Sequence, residues 1–269
     1  MTTAANEAVK LERTGAVALV TLNVPEKRNA LTRELLDGLV ATCTELGNSR
    51  DVRCVVLTGA GQGFCSGADF ATTAAAQAAT GATGAMASHG AIKALYGALL
   101  SVERLPQPVI AAVNGAAIGG GLGLALLADI RIVADDAKLA VNFARLGIHP
   151  GLGISEMLAR SVGLEAAAEL LYTGKTIRGA EAVAMGLARR AVPAAEVVTT
   201  AMALAHEIAG CAPLAVRAIK RTLQGIGRRG LDDIRDLEAM AQAMLAQTED
   251  AREGVMASVQ RRDPQFQGK

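Results

Sequence analysis

The sequence predicts an α/β core followed by a helical C-terminal region, and three observations support this prediction. Up to about Ala195, short apolar segments rich in β-branched residues alternate with longer segments of helical periodicity. Beyond that point the strand-like segments stop, and helical periodicity continues towards the end. The 269 residues, 51% of them hydrophobic, are also enough for a large buried core. We therefore divide the chain into an α/β core, residues 1–195, and a C-terminal helical region, residues 196–269.

The N-terminal part of the core is predicted to contain a strand, a helix and a second strand. Val17–Leu22 is short, apolar and rich in β-branched residues, which is typical of a buried strand. Thr32 stands where it can cap a helix, because apolar residues recur at helical spacing from Leu35 to Leu46. Cys54–Thr58 is the next apolar strand, and it leads into a glycine-rich segment.

The segment from Ala71 to Gly90 consists mostly of Ala, Thr, Gly and Ser and has little periodicity. It predicts a mobile loop or a marginal helix over a site, because few of its side chains could anchor it. A helix follows from about Ala91 to Glu103, and Pro106 prevents it from continuing. The remaining elements are strand Val109–Val113, helix Gly121–Leu127, strand Asp129–Val133, and helices Val197–Ala209, Leu214–Gly225, Leu231–Gln247 and Asp250–Arg261.

The charge balance argues against nucleic-acid binding. The chain has 27 Lys and Arg residues against 26 Asp and Glu residues, a net charge of +1. A protein that wraps nucleic acid, or binds membranes through basic residues, needs a strongly basic surface. Aromatic residues make up only 2% of the sequence, which leaves few side chains on which bases could stack. We expect no nucleic-acid partner.

The cysteines and histidines predict no metal site. The four cysteines are spread along the chain without a C-x-x-C pair, and there are three histidines. Reduced thiols are expected, as in the cytoplasm. The N-terminus lacks the basic and apolar segments of a signal peptide, and the longest apolar stretch, Ala111–Ala128, is interrupted by Asn114 and several glycines. We therefore expect a cytoplasmic protein without a membrane span.

Two glycine-rich segments have the composition of a binding site made from backbone groups. One is Gly61–Phe70, and the other is Pro108–Leu126. Each places small residues directly after a strand, where exposed N–H groups favour negative charge and glycine lets a ligand oxygen come close. Two such N–H groups facing one point would form an oxyanion hole. The residues alone do not distinguish this arrangement from close-packed glycine turns.

Together with other motifs, these segments resemble the crotonase superfamily, which includes enoyl-CoA hydratases and isomerases. The motifs in chain order are PEKRNAL at Pro25–Leu31, GFCSGAD at Gly63–Asp69, VNGAAIGGGLGLAL at Val113–Leu126, LGIHPGLG at Leu146–Gly153, and the C-terminal EGVMASVQRRDPQFQGK. The resemblance implies a crotonase spiral of ββα units with a C-terminal helical region used for trimerisation. It also implies an acyl-CoA or enoyl-CoA ligand, no separate cofactor, and a homotrimer or a dimer of trimers.

The same resemblance assigns roles to individual residues. The backbone N–H groups of Ala68 and Gly120 would donate to the thioester carbonyl, and Lys27 and Arg28 would contact the CoA phosphates. Asp69 lies next to a helix start, where an acidic residue is more typically a cap. The other residues implied to bind the substrate are Ala30, Ser66, Asp69, Phe70, Gly123, Phe143, Phe266 and Lys269, the last two on CoA bound to a neighbouring subunit.

The sequence departs from the hydratase pattern at two positions. Hydratases of this family carry two glutamates, which correspond in this chain to Gly123 and Phe143, and isomerases usually keep a carboxylate at the second position. Neither residue can transfer a proton, and a positioned acid or base contributes roughly 10²–10⁴-fold to a rate. We therefore expect little ordinary hydration. Phe143 also makes the acyl pocket drier, which favours an apolar acyl chain.

Two histidines are candidates for an acid–base group in place of the glutamates. His149 either reaches the thioester or forms a hydrogen bond within its own Pro150–Gly151 turn. His89 either enters the acyl pocket or is a solvated loop residue. The expected activity is of the enoyl-CoA hydratase/isomerase class, on a fatty or related acyl-CoA. The alternatives are a non-catalytic acyl-CoA binder or carrier, a CoA-thioester hydrolase, and an enzyme that cleaves C–C bonds.

Overall fold

The computed structural model describes residues 7–68, 85–225, 231–262 and 264–265, and within them it shows a mixed α/β fold. The strands are β1 Val9–Thr14, β2 Val17–Leu22, β3 Cys54–Gly59, β4 Gly63–Cys65, β5 Val109–Val113, β6 Ala116–Ile118, β7 Ile130–Ala134, β8 Leu139–Ala140, β9 Thr176–Ile177 and β10 Arg190–Val192. The α-helices are α1 Arg33–Asn48, α2 Ala85–Glu103, α3 Gly120–Leu126, α4 Ile154–Val162, α5 Leu164–Thr173, α6 Gly179–Ala184, α7 Val197–Ala209, α8 Pro213–Gly225, α9 Leu231–Leu245 and α10 Glu249–Gln260. Short 3-10 turns lie at Pro25–Lys27, Ala144–Leu146 and Ala194–Glu196.

A six-stranded sheet forms the centre of the fold, in the order β1-β2-β3-β5-β7-β10. β1 is antiparallel to β2, and the other neighbouring pairs in this sheet are parallel. The central strands β3 and β5 are buried along their whole length, which is why both are nearly continuous apolar runs in the sequence. Helix α7 packs across this sheet and buries Val197, Ala201 and Ala205 completely.

A smaller four-stranded sheet, in the order β4-β6-β8-β9, determines where the candidate site lies. Each of its first three strands follows a strand of the large sheet after a short turn, since β4 follows β3, β6 follows β5 and β8 follows β7. β4, β6 and β8 run parallel to one another. The segments that follow these three strands therefore meet at one edge of the small sheet. The carboxyl ends of parallel strands are a common location for ligand sites.

Most of the predicted elements are confirmed to within a few residues at each end. Thr32 caps α1 as expected, because its Oγ1 accepts the N–H of Leu35 at 3.3 Å. Helix α2 begins at Ala85 rather than near Ala91, so residues 85–90 belong to this helix. The rest of the predicted loop, residues 71–84, lies outside the described residues. Strand β1 was not predicted.

An ion pair between a buried lysine and a partly exposed aspartate links helix α8 to the large sheet. Lys220 on α8 is 5% exposed, and its Nζ lies 2.8 Å from Asp129 Oδ2. The same Nζ donates to the main-chain oxygen of Gln107 at 2.8 Å, and Asp129 Oδ2 accepts the N–H of Val109 at 2.8 Å. Burying a charge is costly unless it is paired, and this pair joins α8 to the first residue of β5. The division at residue 195 remains a prediction.

No single helix within the described residues is both long and apolar enough to cross a membrane. The segments Ala194–Ala209 and Pro213–Arg221 reach that length only as a pair, and they are bent by 107° relative to each other. The first segment contains α7, which packs on the large sheet.

Candidate active site

The PEKRNAL turn is held in place by the side chain of Asn29. This residue is fully buried, with a left-handed backbone at φ 53°. Its Oδ1 accepts the N–H of Val24 at 2.9 Å, and its Nδ2 donates to the carbonyls of Ala60 and Gly63 at 3.0 and 2.9 Å. One amide side chain thereby connects the turn to the segment between β3 and β4.

The same turn lies directly against the segment that follows β4. The N–H of Ser66 donates to the carbonyl of Arg28 at 3.0 Å, and the N–H of Leu31 donates to the carbonyl of Gly67 at 2.9 Å. The side chains of Lys27 and Arg28 are exposed. The structure therefore brings the predicted phosphate-binding cations next to the first predicted oxyanion segment. Ala30, between them and Leu31, is buried.

The two predicted oxyanion segments also touch each other. Gly67 has φ +86°, and a Cβ atom there would lie 2.5 Å from the carbonyl oxygen of Ile118 and 3.2 Å from the nitrogen of Gly120. Gly119 has φ +54°, and its N–H donates to the carbonyl of Ala140 at 2.8 Å. Glycine is required at both positions, by backbone conformation and, at Gly67, by the close approach. The segments after β4 and β6 are thus in contact at the edge of the small sheet.

The N–H groups of Ala68 and Gly120 are available for a ligand. Leu31 pairs with Ala68 in an isolated bridge whose bond uses the carbonyl of Gly67, not the N–H of Ala68. Gly120 is the first residue of α3, and the first N–H groups of a helix have no acceptor within the helix. In the part of the chain that the structure describes, neither N–H has a hydrogen-bond acceptor. The arrangement could therefore hold a carbonyl oxygen.

Gly123 is packed against aliphatic side chains, and Phe143 places its ring beside Gly119. Gly123 is buried one turn along α3 from Gly120, and a Cβ atom there would lie 2.8 Å from Ile154 Cδ1 and 3.3 Å from Leu152 Cδ2. The half-buried ring of Phe143 lies with its Cζ 3.6 Å from the Cβ position of Gly119. The space beside the second oxyanion segment therefore holds aliphatic and aromatic carbon together with one polar atom, Asn142 Oδ1, which lies 3.3 Å from the Cβ position of Gly119.

His149 lies in the loop that leads from the Ala144–Leu146 turn to α4, and this loop contacts both Phe143 and Gly123. At one end of the loop, the N–H of Ile148 donates to the carbonyl of Phe143 at 3.1 Å, and at the other end Leu152 packs over Gly123. His149 Nδ1 lies 2.6 Å from the carbonyl oxygen of Pro150, as expected for a bond within its own turn. Because a carbonyl only accepts, Nδ1 carries the hydrogen and Nε2 of the neutral ring keeps its lone pair.

One of the two expectations for His89 is wrong, and its entry into the acyl pocket stays a prediction. It lies on α2 rather than in a loop, and its side chain is only 14% exposed, so the prediction of a solvated loop residue is wrong. Its Nε2 is 3.4 Å from Asp236 Oδ1 on α9, while Lys93 Nζ lies 2.6 Å from the same oxygen. The hydrogen bond and charge of Lys93 lower the pKa of Asp236. The described contacts of His89 are with α9.

Four of the predicted substrate-binding residues, Asp69, Phe70, Phe266 and Lys269, lie outside the residues that the structure describes. Two features of the site were not predicted from the sequence. One is the packing of Ile154 over Gly123, and the other is a polar contact between Tyr96, Gln242 and the His149 loop. In the sequence, only Gly151 could have indicated the polar contact, because a buried glycine often allows another group to approach the backbone closely.

The cysteines yield a simple prediction about reactivity. Cys43, Cys54 and Cys65 are buried, and burial raises their pKa values to about 11, about 12 and about 12. Cys211 is exposed. Because the thiolate is the reactive form, we expect one fast-reacting thiol per native chain and four after denaturation, measured with a chromogenic disulfide reagent at mildly alkaline pH. Cys211→Ser should abolish the fast phase, and fast reaction of a second thiol would contradict the burial.

Comparison with known proteins places these features in a family context. The family model described as enoyl-CoA hydratase/isomerase matches residues 12–269. Enoyl-CoA hydratase EchA19 of Mycobacterium tuberculosis is 36% identical over 259 residues, which cover 96% of each chain. An enoyl-CoA hydratase/isomerase crystal structure from Pseudoalteromonas atlantica matches with a TM-score of 0.84 at 26% identity, covering 97% of this chain and 100% of that one. A monofunctional enoyl CoA isomerase from M. smegmatis matches with a TM-score of 0.69 at 36% identity, covering 84% of this chain and 94% of that one.

Proposed function

Because this chain belongs to the enoyl-CoA hydratase/isomerase family, we propose that it binds an apolar acyl-CoA, removes a proton from the carbon next to the thioester carbonyl, and does not carry out ordinary hydration. The observation that supports this proposal most directly is that aliphatic side chains pack over Gly123 and that the Phe143 ring lies beside Gly119. A two-carboxylate mechanism for adding water has no proton-transfer group at either position. CoA is part of the substrate, and no separate cofactor is required.

The N–H groups of Ala68 and Gly120 would hold the thioester oxygen. When a base removes a proton from the carbon next to the carbonyl, the electron pair moves into the carbonyl and its oxygen becomes negative. Hydrogen bonds to that oxygen strengthen as the charge grows, and one such donor is worth about 3–4 kcal/mol in a transition state. The left-handed backbone at Gly67 and Gly119 supports this geometry, because it turns both segments so that they meet.

We assign the acid–base role to His149. Its Nδ1–H is engaged by Pro150, so Nε2 can take a proton, and both ends of its loop contact residues beside α3. The Phe143 ring beside Gly119 suits a substrate whose acyl chain is a hydrocarbon. A non-catalytic acyl-CoA carrier remains the main alternative, since the same two N–H groups would hold a thioester without reaction. Thioester hydrolysis and C–C cleavage are further alternatives, because both also generate an oxyanion.

Three measurements on the purified protein separate these functions. The first follows the loss of conjugated thioester absorbance with crotonyl-CoA and longer enoyl-CoAs, and we expect hydration far slower than by a two-glutamate hydratase. The second follows exchange of the α-protons of a saturated acyl-CoA with D2O, which we expect to occur and to be lost in His149→Ala. The third follows release of free CoA thiol. Hydration at an ordinary rate would contradict the proposal, binding without exchange would favour the carrier, and thiol release would favour the hydrolase.

The cations of the PEKRNAL turn supply a prediction about CoA affinity. Lys27→Ala and Arg28→Ala are each expected to weaken the binding of free CoA by about tenfold at low salt, because each removes a charged donor to phosphate. Arg190→Ala is a matched control, since Arg190 is equally exposed on the edge strand β10. The dissociation constants can be measured by isothermal titration calorimetry. Equal weakening in all three variants, or in none, would mean that the turn does not contact the phosphates.

We also propose that the active form is a homotrimer or a dimer of trimers. Helix α8 presents three large apolar side chains to solvent in the single chain, Leu214, Ile219 and Leu223, which are 78%, 58% and 61% exposed. Exposed apolar groups of this kind are typical of subunit contacts. Sedimentation analysis would test the stoichiometry, and a monomer at assay concentrations would contradict it.

A further inference from the structure

A polar relay connects helices α2 and α9 to the loop that contains His149. Tyr96 on α2 is 6% exposed, and its hydroxyl donates to Gln242 Oε1 on α9 at 2.9 Å. Gln242 Nε2 donates in turn to the main-chain oxygen of His149 at 3.2 Å. The first bond fixes the Gln242 amide, and the second holds the carbonyl oxygen of His149.

Close packing adds to this attachment. A Cβ atom at Gly151 would lie 1.8 Å from the hydroxyl oxygen of Tyr96 and 3.1 Å from Gln242 Oε1. The relay therefore sits against the backbone two residues beyond His149, with no room for a side chain between them. Further along, the same loop packs Leu152 over Gly123. The segment from His149 to Leu152 therefore contacts the relay at His149 and Gly151, and it contacts α3 through Leu152.

The chemical character of the relay indicates a role beyond stability. Replacing both partners of a buried hydrogen bond by apolar groups of the same shape can be nearly neutral for stability, because water is lost from both groups on folding. What a directional bond adds is a defined position for the atom it contacts. Here that atom is the carbonyl oxygen of His149.

We propose that Tyr96 and Gln242 are positioning residues that hold His149 Nε2 at the reacting carbon of the bound acyl-CoA. This inference rests on the proposed function, in which His149 transfers the proton. In that step the C–H bond next to the thioester breaks, its electron pair moves towards the carbonyl oxygen, and the proton goes to Nε2. In D2O the reverse step returns a deuteron to the same carbon. A displacement of about 1 Å in a reacting group can cost about 10²-fold in rate, so a missing bond in the relay is detectable.

Two variants test the relay at different points, and a third is the control. Tyr96→Phe keeps the ring against Gly151 and removes the hydroxyl donor. Gln242→Glu keeps an acceptor for Tyr96 and removes the N–H donor to His149. Tyr172→Phe is the matched control, because the Tyr172 side chain is 80% exposed on α5. For each protein, the measurements are the dissociation constant of butyryl-CoA, the rate of α-proton exchange with D2O by NMR at saturating ligand, and the temperature of unfolding.

We expect Tyr96→Phe and Gln242→Glu to exchange α-protons about tenfold more slowly, with butyryl-CoA affinity unchanged and Tyr172→Phe equal to wild type. Unchanged exchange in both relay variants would overturn the inference while leaving the proposed function intact. A parallel loss of affinity, exchange and unfolding temperature in both would also overturn it, because that pattern reports structure alone. Failure of the wild-type protein to bind butyryl-CoA or to exchange its protons would refute the proposed function itself, and the positioning role with it.

Discussion

Replacing Gly123 and Phe143 by glutamate, together with Ile154→Gly, is expected to raise the hydration rate of crotonyl-CoA by about 10²-fold or more. The two glutamates would restore a proton acceptor and a proton donor beside the thioester. Neither change alone supplies both. The measurement is the initial rate of loss of conjugated thioester absorbance at saturating crotonyl-CoA.

The third substitution is needed because of packing. A Cβ atom at position 123 would lie 2.8 Å from Ile154 Cδ1 and 3.1 Å from Ile154 Cγ1, so a glutamate there has no space while the isoleucine remains. Gly123→Glu with Ile154 intact is therefore expected to be destabilised by overpacking, by roughly 1–3 kcal/mol. Removing the isoleucine side chain opens the volume that the carboxylate requires.

A matched control separates chemistry from shape. The corresponding variant with glutamine in place of both glutamates has nearly the same volume and polarity but no acid or base. It should bind crotonyl-CoA and remain as slow as wild type. Equal rates for the glutamate and glutamine variants, with both proteins folded, would show that the missing carboxylates do not limit hydration.

Asn29→Ala is expected to destabilise the protein by about 3 kcal/mol, because it removes all three hydrogen bonds of a fully buried side chain. The substitution leaves the N–H of Val24 and the carbonyls of Ala60 and Gly63 without this partner. It also places alanine in a left-handed conformation, which asparagine tolerates better. Denaturant unfolding followed by circular dichroism gives the free energy directly.

Asn48→Ala serves as the control, since Asn48 is exposed at the end of α1 and should change stability by no more than about 0.5 kcal/mol. Because Asn29 fixes the PEKRNAL turn, its variant should also bind free CoA more weakly at temperatures where it is folded. A loss of stability similar to that of the control would show that the turn is held by other contacts.

The fold was predictable where periodicity was strong. Val17–Leu22 was assigned correctly from its apolar run, and α7 was assigned correctly from its helical spacing. Strand β1 was missed because it is an edge strand in which Val9 is the only buried residue, so its charged side chains conceal the pattern. The strands of the small sheet were missed for another reason. They are two or three residues long and form only because the preceding large-sheet strands place them side by side.

The site was predictable only in part. Features formed within one segment could be predicted, whereas contacts between residues far apart in the sequence could not. Glycine-rich segments indicated close backbone approach, and the structure shows that approach between Gly67 and Gly120. The relay from Tyr96 through Gln242 was invisible, because it joins residues from helices far apart in sequence. His89 was expected in a solvated loop, because the local composition does not favour a helix. In the structure α2 begins before His89, and His89 contacts Asp236 on α9.

The ion pair between Lys220 and Asp129 has a consequence for the order in which contacts can form during synthesis. Asp129 belongs to the segment that orders β5, yet its charged partner leaves the ribosome only after nearly the whole core has been translated. Until then the carboxylate lacks this cation. The link between α8 and the start of β5 can therefore form only after translation has passed Lys220.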